Sequence, residues 1–213
     1  MSEFNSFAKS VAQDPSRNPA LTFVEGPGGG WDAVRIARPN ARYWTDLDTR
    51  IRRAKLQRNQ VQVVWLKQAI AGEDRPFPQD ARALQSRLRA IVRNLSTRFP
   101  NLRLIYVSSR TYGGYAITHL NPEPFAYESA FAVRWLVQDA MNGRFAPRLW
   151  IGWGPYLWTD GQAGRRDGFT WACEDTLEDG MHPSPSGVRK VARLLSDFFA
   201  ADPTAQSWFS PAA

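Results

Sequence analysis

Cysteine is nearly missing from this sequence: Cys173 is the single one in 213 residues. One thiol excludes an internal disulfide and leaves the redox compartment open. Its acidic neighbours, Glu174 and Asp175, argue against a cysteine nucleophile. Histidine is almost as scarce, with only His119 and His182. Two histidines and one cysteine offer no zinc-ligand spacing, so no metal is expected. No Gly-x-Gly-x-x-Gly opens a helix, and Gly26-Pro27-Gly28-Gly29-Gly30 is not followed by the Lys-Ser/Thr of a phosphate loop. Nucleotide cofactors are therefore not expected either. No apolar run approaches the roughly 18 residues of a membrane-spanning helix. Met1-Ser2-Glu3-Phe4-Asn5 lacks the basic-then-apolar pattern of a secretory signal.

Lysine is also rare, at Lys9, Lys55, Lys67 and Lys190, so the net charge of +7 comes mainly from arginine. The arginines are dispersed, apart from Arg50, Arg52 and Arg53 with Lys55, and Arg165-Arg166. A nucleic-acid binder gathers such charge into a stripe with a recognisable motif. None is visible, so no specific nucleic-acid partner is expected and the arginines read as solvated surface.

What is present is an alternation of strand-like and helix-like blocks, which predicts an α/β domain. Leu21–Glu25, Val61–Leu66, Leu102–Val107 and Leu149–Trp153 are short apolar runs rich in β-formers. Each is separated from the next by enough chain for a crossover, so the sheet is expected to be mainly parallel. Phe4, Phe7, Ala8 and Val11 have helical spacing, so a helix begins at about Ser2. Leu84, Leu88, Ile91, Val92, Leu95 and Phe99 mark a second helix, and Glu128–Asn142 a third. Ser186-Gly187-Val188 opens a last one, with Val191, Leu194, Leu195, Phe198 and Phe199 on its apolar face.

Two features suggest chemistry. Asp179 and His182 stand three apart in the Gly/Pro-rich turn Asp179-Gly180-Met181-His182-Pro183-Ser184. An imidazole that moves a proton needs a carboxylate to fix its tautomer, and this spacing supplies one. His119 lies in a loop with no carboxylate at obvious spacing. The second feature is aromatic: nine tryptophans, three of which (Trp150, Trp153, Trp158) bracket Gly152, Gly154 and Pro155. Such rings serve either as buried anchors or as stacking faces for sugars, which makes Trp153, Tyr156 and Trp158 the candidate substrate-binding residues.

Together these motifs resemble the SGNH (GDSL-like) hydrolases, esterases and lipases with a flavodoxin-like three-layer α/β/α fold. Asp179-Gly180-Met181-His182 resembles the family's last block, and Gly28-Gly29-Gly30 the second. The order of strands and helices fits over nearly the whole chain. Val61–Gln68, Ser108-Ser109-Arg110, Asn121-Pro122-Glu123-Pro124 and Trp153-Gly154-Pro155-Tyr156 are similar to an uncharacterised branch of the family. The resemblance implies a single domain over 1–213, with no cofactor and a small-molecule or carbohydrate ester as substrate. It implies that His182 is the base, that Asp179 orients it, and that the Gly30 N–H lines the oxyanion hole. Where the family has Gly-x-Asn-Asp, this sequence has Trp65-Leu66-Lys67-Gln68, so Gln68 or Lys67 would be the second oxyanion donor. The family's serine elbow, between a first strand and a first helix, has no counterpart. Ser2, Ser6 and Ser10 are candidates by position; Ser2 is the best placed, although a serine there is also a helix cap. The resemblance therefore implies a domain that is incomplete at its N-terminus, lacking a strand between 21–25 and 61–66. Such a chain is expected to be inactive on simple acyl esters and poorly soluble. The alternative expectation is a non-catalytic, SGNH-derived carbohydrate- or ligand-binding protein.

Overall fold

The β-branched and aromatic runs at Val63–Lys67 (β1), Leu104–Ser108 (β2) and Trp150–Trp153 (β3) form the strands seen in a computed structural model, which describes residues 2–26 and 28–210. They pair in parallel in the order β1-β2-β3, with Val64 opposite Ile105 and Ile105 opposite Ile151. Parallel pairing requires crossovers. These are α4 (Gln79–Arg98) between β1 and β2, and α5 (Phe125–Met141) between β2 and β3.

Side-chain alternation along the strands sorts the core into two halves. Leu66, Ile105, Val107 and Ile151 face a cluster formed with Leu84, Leu88, Ile91 and Val92 of α4 and Ala132, Val133 and Leu136 of α5. Ala33 and Ile36 of α2 (Ala33–Ile36) and Trp44, Leu47 and Ile51 of α3 (Arg42–Arg53) complete that side. Tyr106, with Val63, Trp65 and Leu104 packed around it, faces the other half. There Phe7 and Val11 of α1 (Glu3–Ala12) meet Val191, Leu195 and Phe199 of α6 (Pro185–Ala201) and Phe209 of α7 (Pro203–Phe209). The result is the expected three-layer α/β/α arrangement with a parallel sheet. No helix among the described residues is long and apolar enough to cross a membrane.

The strand expected at Leu21–Glu25 does not form. A strand needs both burial and a ladder partner, and this segment finds only burial. Phe23 sets its ring edge against Phe4 at 6.1 Å and Phe7 at 5.4 Å, while Val24 packs against the opposite half of the core. Among the described residues β1 therefore pairs on one side only, and Phe4 stacks on its Trp65 at 6.4 Å. The helix at Arg42–Arg53 was not anticipated, although Trp44, Leu47 and Ile51 have helical spacing.

Candidate active site

In a doubly wound sheet, ligands meet the carboxyl ends of the strands. At the end of β1, Lys67 Nζ pairs with Glu3 Oε1 at 2.5 Å, which holds the first turn of α1 against the sheet. Burial pushes the Lys67 ammonium below its ordinary range; Glu3 opposes that push, and Arg110 adds to it. Ser2 caps α1, its hydroxyl accepting from the Asn5 N–H at 3.1 Å. The sequence thus brings Ser2 to this end of the sheet, but its hydroxyl serves the helix, and no hydrogen bond links it to His182 among the described residues.

Arg110 follows β2, and the sequence reading gave it no role. Its backbone N–H donates to Ser129 Oγ at 2.9 Å, while its Nε is buried without a partner. Glu73 lies in the loop after β1, 8% exposed, and accepts from Asn121 Nδ2 at 2.9 Å. Burial, Asp80 and Glu128 push its carboxyl up to about 7, against the pull of Asn121 and Arg110.

The Asp179–His182 turn is tied at both ends. Leu177 N–H donates to His182 O at 2.7 Å, and Ser184 caps α6 while donating to Glu174 O at 2.6 Å. Asp179 Oδ1 accepts the N–H groups of Met181 and His182, each at 3.0 Å. Asp179 Oδ2 accepts from His182 Nδ1. Burial acts to raise the Asp179 carboxyl, but these hydrogen bonds outweigh it and hold the group below the ordinary carboxylate range. The His182 side chain is 61% exposed, and its Nε2 makes no hydrogen bond among the described residues. Gly180 requires φ of +68°, and a Cβ there would lie 1.8 Å from Tyr115 O. Tyr115 and Ile117, whose N–H donates to Asp179 O at 3.1 Å, form the wall behind the turn.

The remaining candidates spread over two further places. Gly30 is exposed and accepts from Arg35 Nη1 at 2.5 Å. Its loop is joined to the chain after β1 by Ala33 N–H donating to Ala69 O at 2.8 Å, so Gly30 and Gln68 belong to adjoining loops. Gln68 is half-buried, and its amide is bound by no side chain among the described residues. Lys67 is committed to Glu3. The three aromatic candidates do not form one platform. Trp153 is half-buried beside Tyr156 at 6.2 Å, whereas Trp158 lines a groove of about 390 Å³ with Tyr112, Gly114, Glu123, Pro124, Tyr127 and Asp160. Glu123 organises that groove. Its Oε1 accepts from Gly113 N–H at 2.9 Å and Trp158 Nε1 at 2.8 Å, and its Oε2 from Tyr127 N–H at 2.9 Å. No group of three His, Cys, Asp or Glu side chains that could hold a metal ion occurs among the described residues.

The fold is that of an α/β protein, a parallel sheet between two layers of helices. Among solved structures, the chain is similar to a carbohydrate esterase family 3 protein from Talaromyces cellulolyticus, with a TM-score of 0.53 over 92% of this chain and 86% of that one. Sequence identity is 14%, so the likeness is one of fold. No family model and no curated protein matches the sequence.

Proposed function

We propose that this chain carries the acid–base half of an ester-hydrolysing site, with His182 as general base and Asp179 as its orienting carboxylate. The observation behind this reading is the Asp179–His182 hydrogen bond, with two backbone N–H groups holding the carboxylate and the imidazole exposed at the surface. An anchored anion on Nδ1 fixes the tautomer whose Nε2 accepts a proton, and it stabilises the imidazolium that results. The Gly30 N–H and the Gln68 amide are the proposed oxyanion donors, since Lys67 is spent on Glu3. The carbohydrate esterase among the fold neighbours supports an acyl ester on a sugar as the substrate class.

The described residues bring no serine hydroxyl to His182, so in place of the inactivity expected from the sequence this reading has the base activate water directly, with slow turnover. General-base catalysis alone supplies about 10²–10⁴-fold. Hydrolysis of p-nitrophenyl acetate tests this. The expected result is slow turnover above buffer that His182→Ala abolishes and Ser2→Ala leaves unchanged. Turnover indifferent to His182→Ala would remove the acid–base assignment. Fast turnover lost in Ser2→Ala would instead make Ser2 the nucleophile.

A further inference from the structure

Helix α5 places Tyr127, Phe131 and Trp135 at i, i+4 and i+8, on a different side from its buried Ala132, Val133 and Leu136. These rings continue a longer series. Tyr112 meets Trp158 at 6.3 Å, Trp158 meets Tyr127 at 4.7 Å, and Tyr127 meets Phe131 at 5.7 Å. Phe131 then meets Phe77 at 5.0 Å, and Phe77 meets Trp135 at 6.1 Å, where the Arg82 guanidinium covers the indole at 3.5 Å. Tyr127 is 41% exposed and Phe77 47%. The near end adjoins the proposed base: Tyr112 sets its edge against Tyr115 at 5.1 Å, and the Tyr115 carbonyl faces Gly180.

Ring faces alone would suit many apolar partners, but the polar groups beside them narrow the choice. The hydroxyls of Tyr112 and Tyr127 and the Asp160 carboxylate line the groove and make no hydrogen bond among the described residues. Glu123 is the contrary case: its three accepted bonds hold Trp158 and the first turn of α5 in place, which makes it a positioning residue. Partly exposed rings with unused hydroxyl and carboxylate groups beside them at the groove match a sugar chain. Its C–H faces lie on rings while its hydroxyls seek donors and acceptors. Two carboxylates at the groove disfavour an anionic chain.

We propose that this aromatic series is a binding track for a neutral polysaccharide. One sugar sits over Trp158 and Tyr127 in the groove, and the chain continues past Phe131 and Phe77, ending where Arg82 covers Trp135. The track rests on the hydrolysis reading only for which end faces the ester. The test is a titration with cellohexaose and mannohexaose, followed by tryptophan fluorescence and calorimetry, with an oligogalacturonate of matched length as the anionic comparator. Saturable binding of at least one neutral hexasaccharide is expected, weakened at least tenfold by Trp158→Ala and by Tyr127→Ala, with no binding of the oligogalacturonate. Tyr127→Ala removes a ring that is already substantially exposed, so a variant with an unchanged circular dichroism spectrum separates lost binding from lost fold. No binding of either neutral sugar at millimolar concentration overturns the proposal, as does binding that survives both substitutions or favours the oligogalacturonate. Because the titration reads binding without turnover, a chain that hydrolyses esters but binds neither sugar sinks the track alone. A chain that binds sugar but never turns over ester sinks the hydrolysis reading alone.

Discussion

Glu73 offers the sharpest physical test of the arrangement at the carboxyl end of the sheet. Its carboxyl is 8% exposed and faces Asp80, Glu128, Arg110 and Asn121. Burial, with the charges of Asp80 and Glu128, lifts it from 4.5 to about 7. A carboxyl whose folded value exceeds its unfolded one binds more protons in the native state. Stability is therefore full below pH 4.5, falls as pH rises through the interval, and levels off above about 7. That difference corresponds to up to ~3 kcal/mol lost as Glu73 ionises. Glu73→Gln keeps an acceptor for Asn121 Nδ2 and removes the titration. Relative to the parent, the variant should be equally stable at pH 4 and up to ~3 kcal/mol more stable at pH 8. Urea unfolding at pH 4, 6 and 8 reads this directly. With a slope of about 2 kcal/mol/M, the midpoint of the variant should exceed that of the parent by ~1.5 M at pH 8. The difference between the two proteins isolates Glu73 and the groups coupled to it, Asp80, Glu128 and Arg110, since the distant titrating groups cancel. A difference that does not change with pH, or a variant less stable at pH 8, would refute the reasoning.

Two further outcomes follow from the turn and the helix that hold His182. Gly180→Ala forces a positive φ on alanine and drives a methyl into the Tyr115 carbonyl. Loss of at least ~2 kcal/mol is expected, read as a melting temperature lower by about 4 °C or more; an unchanged melting curve would show that the turn relaxes freely. Lys190 Nζ holds Asp175, itself 2% exposed, at 2.5 Å, and also donates to Thr170 O at 3.0 Å. Lys190→Met leaves that carboxylate buried without its cation, at a cost of about 3 kcal/mol in denaturant unfolding at pH 7. A cost below ~1 kcal/mol would mean that the Ala172 N–H and the surrounding hydroxyls suffice.

What could be read from the sequence follows the range of the interaction. The four helices expected from the sequence are α1, α4, α5 and α6, because burial on a helix repeats every turn and shows in any short window. The Asp179–His182 pair was legible for the same reason: one turn spans it. The groove was only partly so. Trp158 stands out as a tryptophan in a glycine-rich segment, but its partner Glu123 is 35 residues away, and Tyr127 lies just before the helix expected at Glu128–Asn142. Glu73 gives no local signal at all, and Arg110 enters only within Ser108-Ser109-Arg110, without a role of its own. Their importance lies in burial, and neither burial nor the 48 residues between Glu73 and Asn121 can be read from a window.

Leu21–Glu25 shows the same limit from the other direction. Its composition asks for burial and receives it, with Phe23 against α1 and Val24 against the opposite half of the core. A ladder, however, is a property of two segments, and the local run carries information about only one of them. The same logic governs Ser2. The Glu3–Lys67 pair joins residues 64 apart and draws the start of α1 to the strand end where a nucleophile would act. Proximity to that end rests on this ion pair together with Phe4 stacked on Trp65, whereas nucleophilicity depends on a hydrogen bond to His182. The first is present; the Ser2 hydroxyl accepts from the Asn5 N–H, and its own O–H donates to no group among the described residues. The proposed base is held by its own turn and makes no hydrogen bond to α1 among the described residues, which is why His182, rather than any serine, is the residue on which the hydrolysis reading should be tested first.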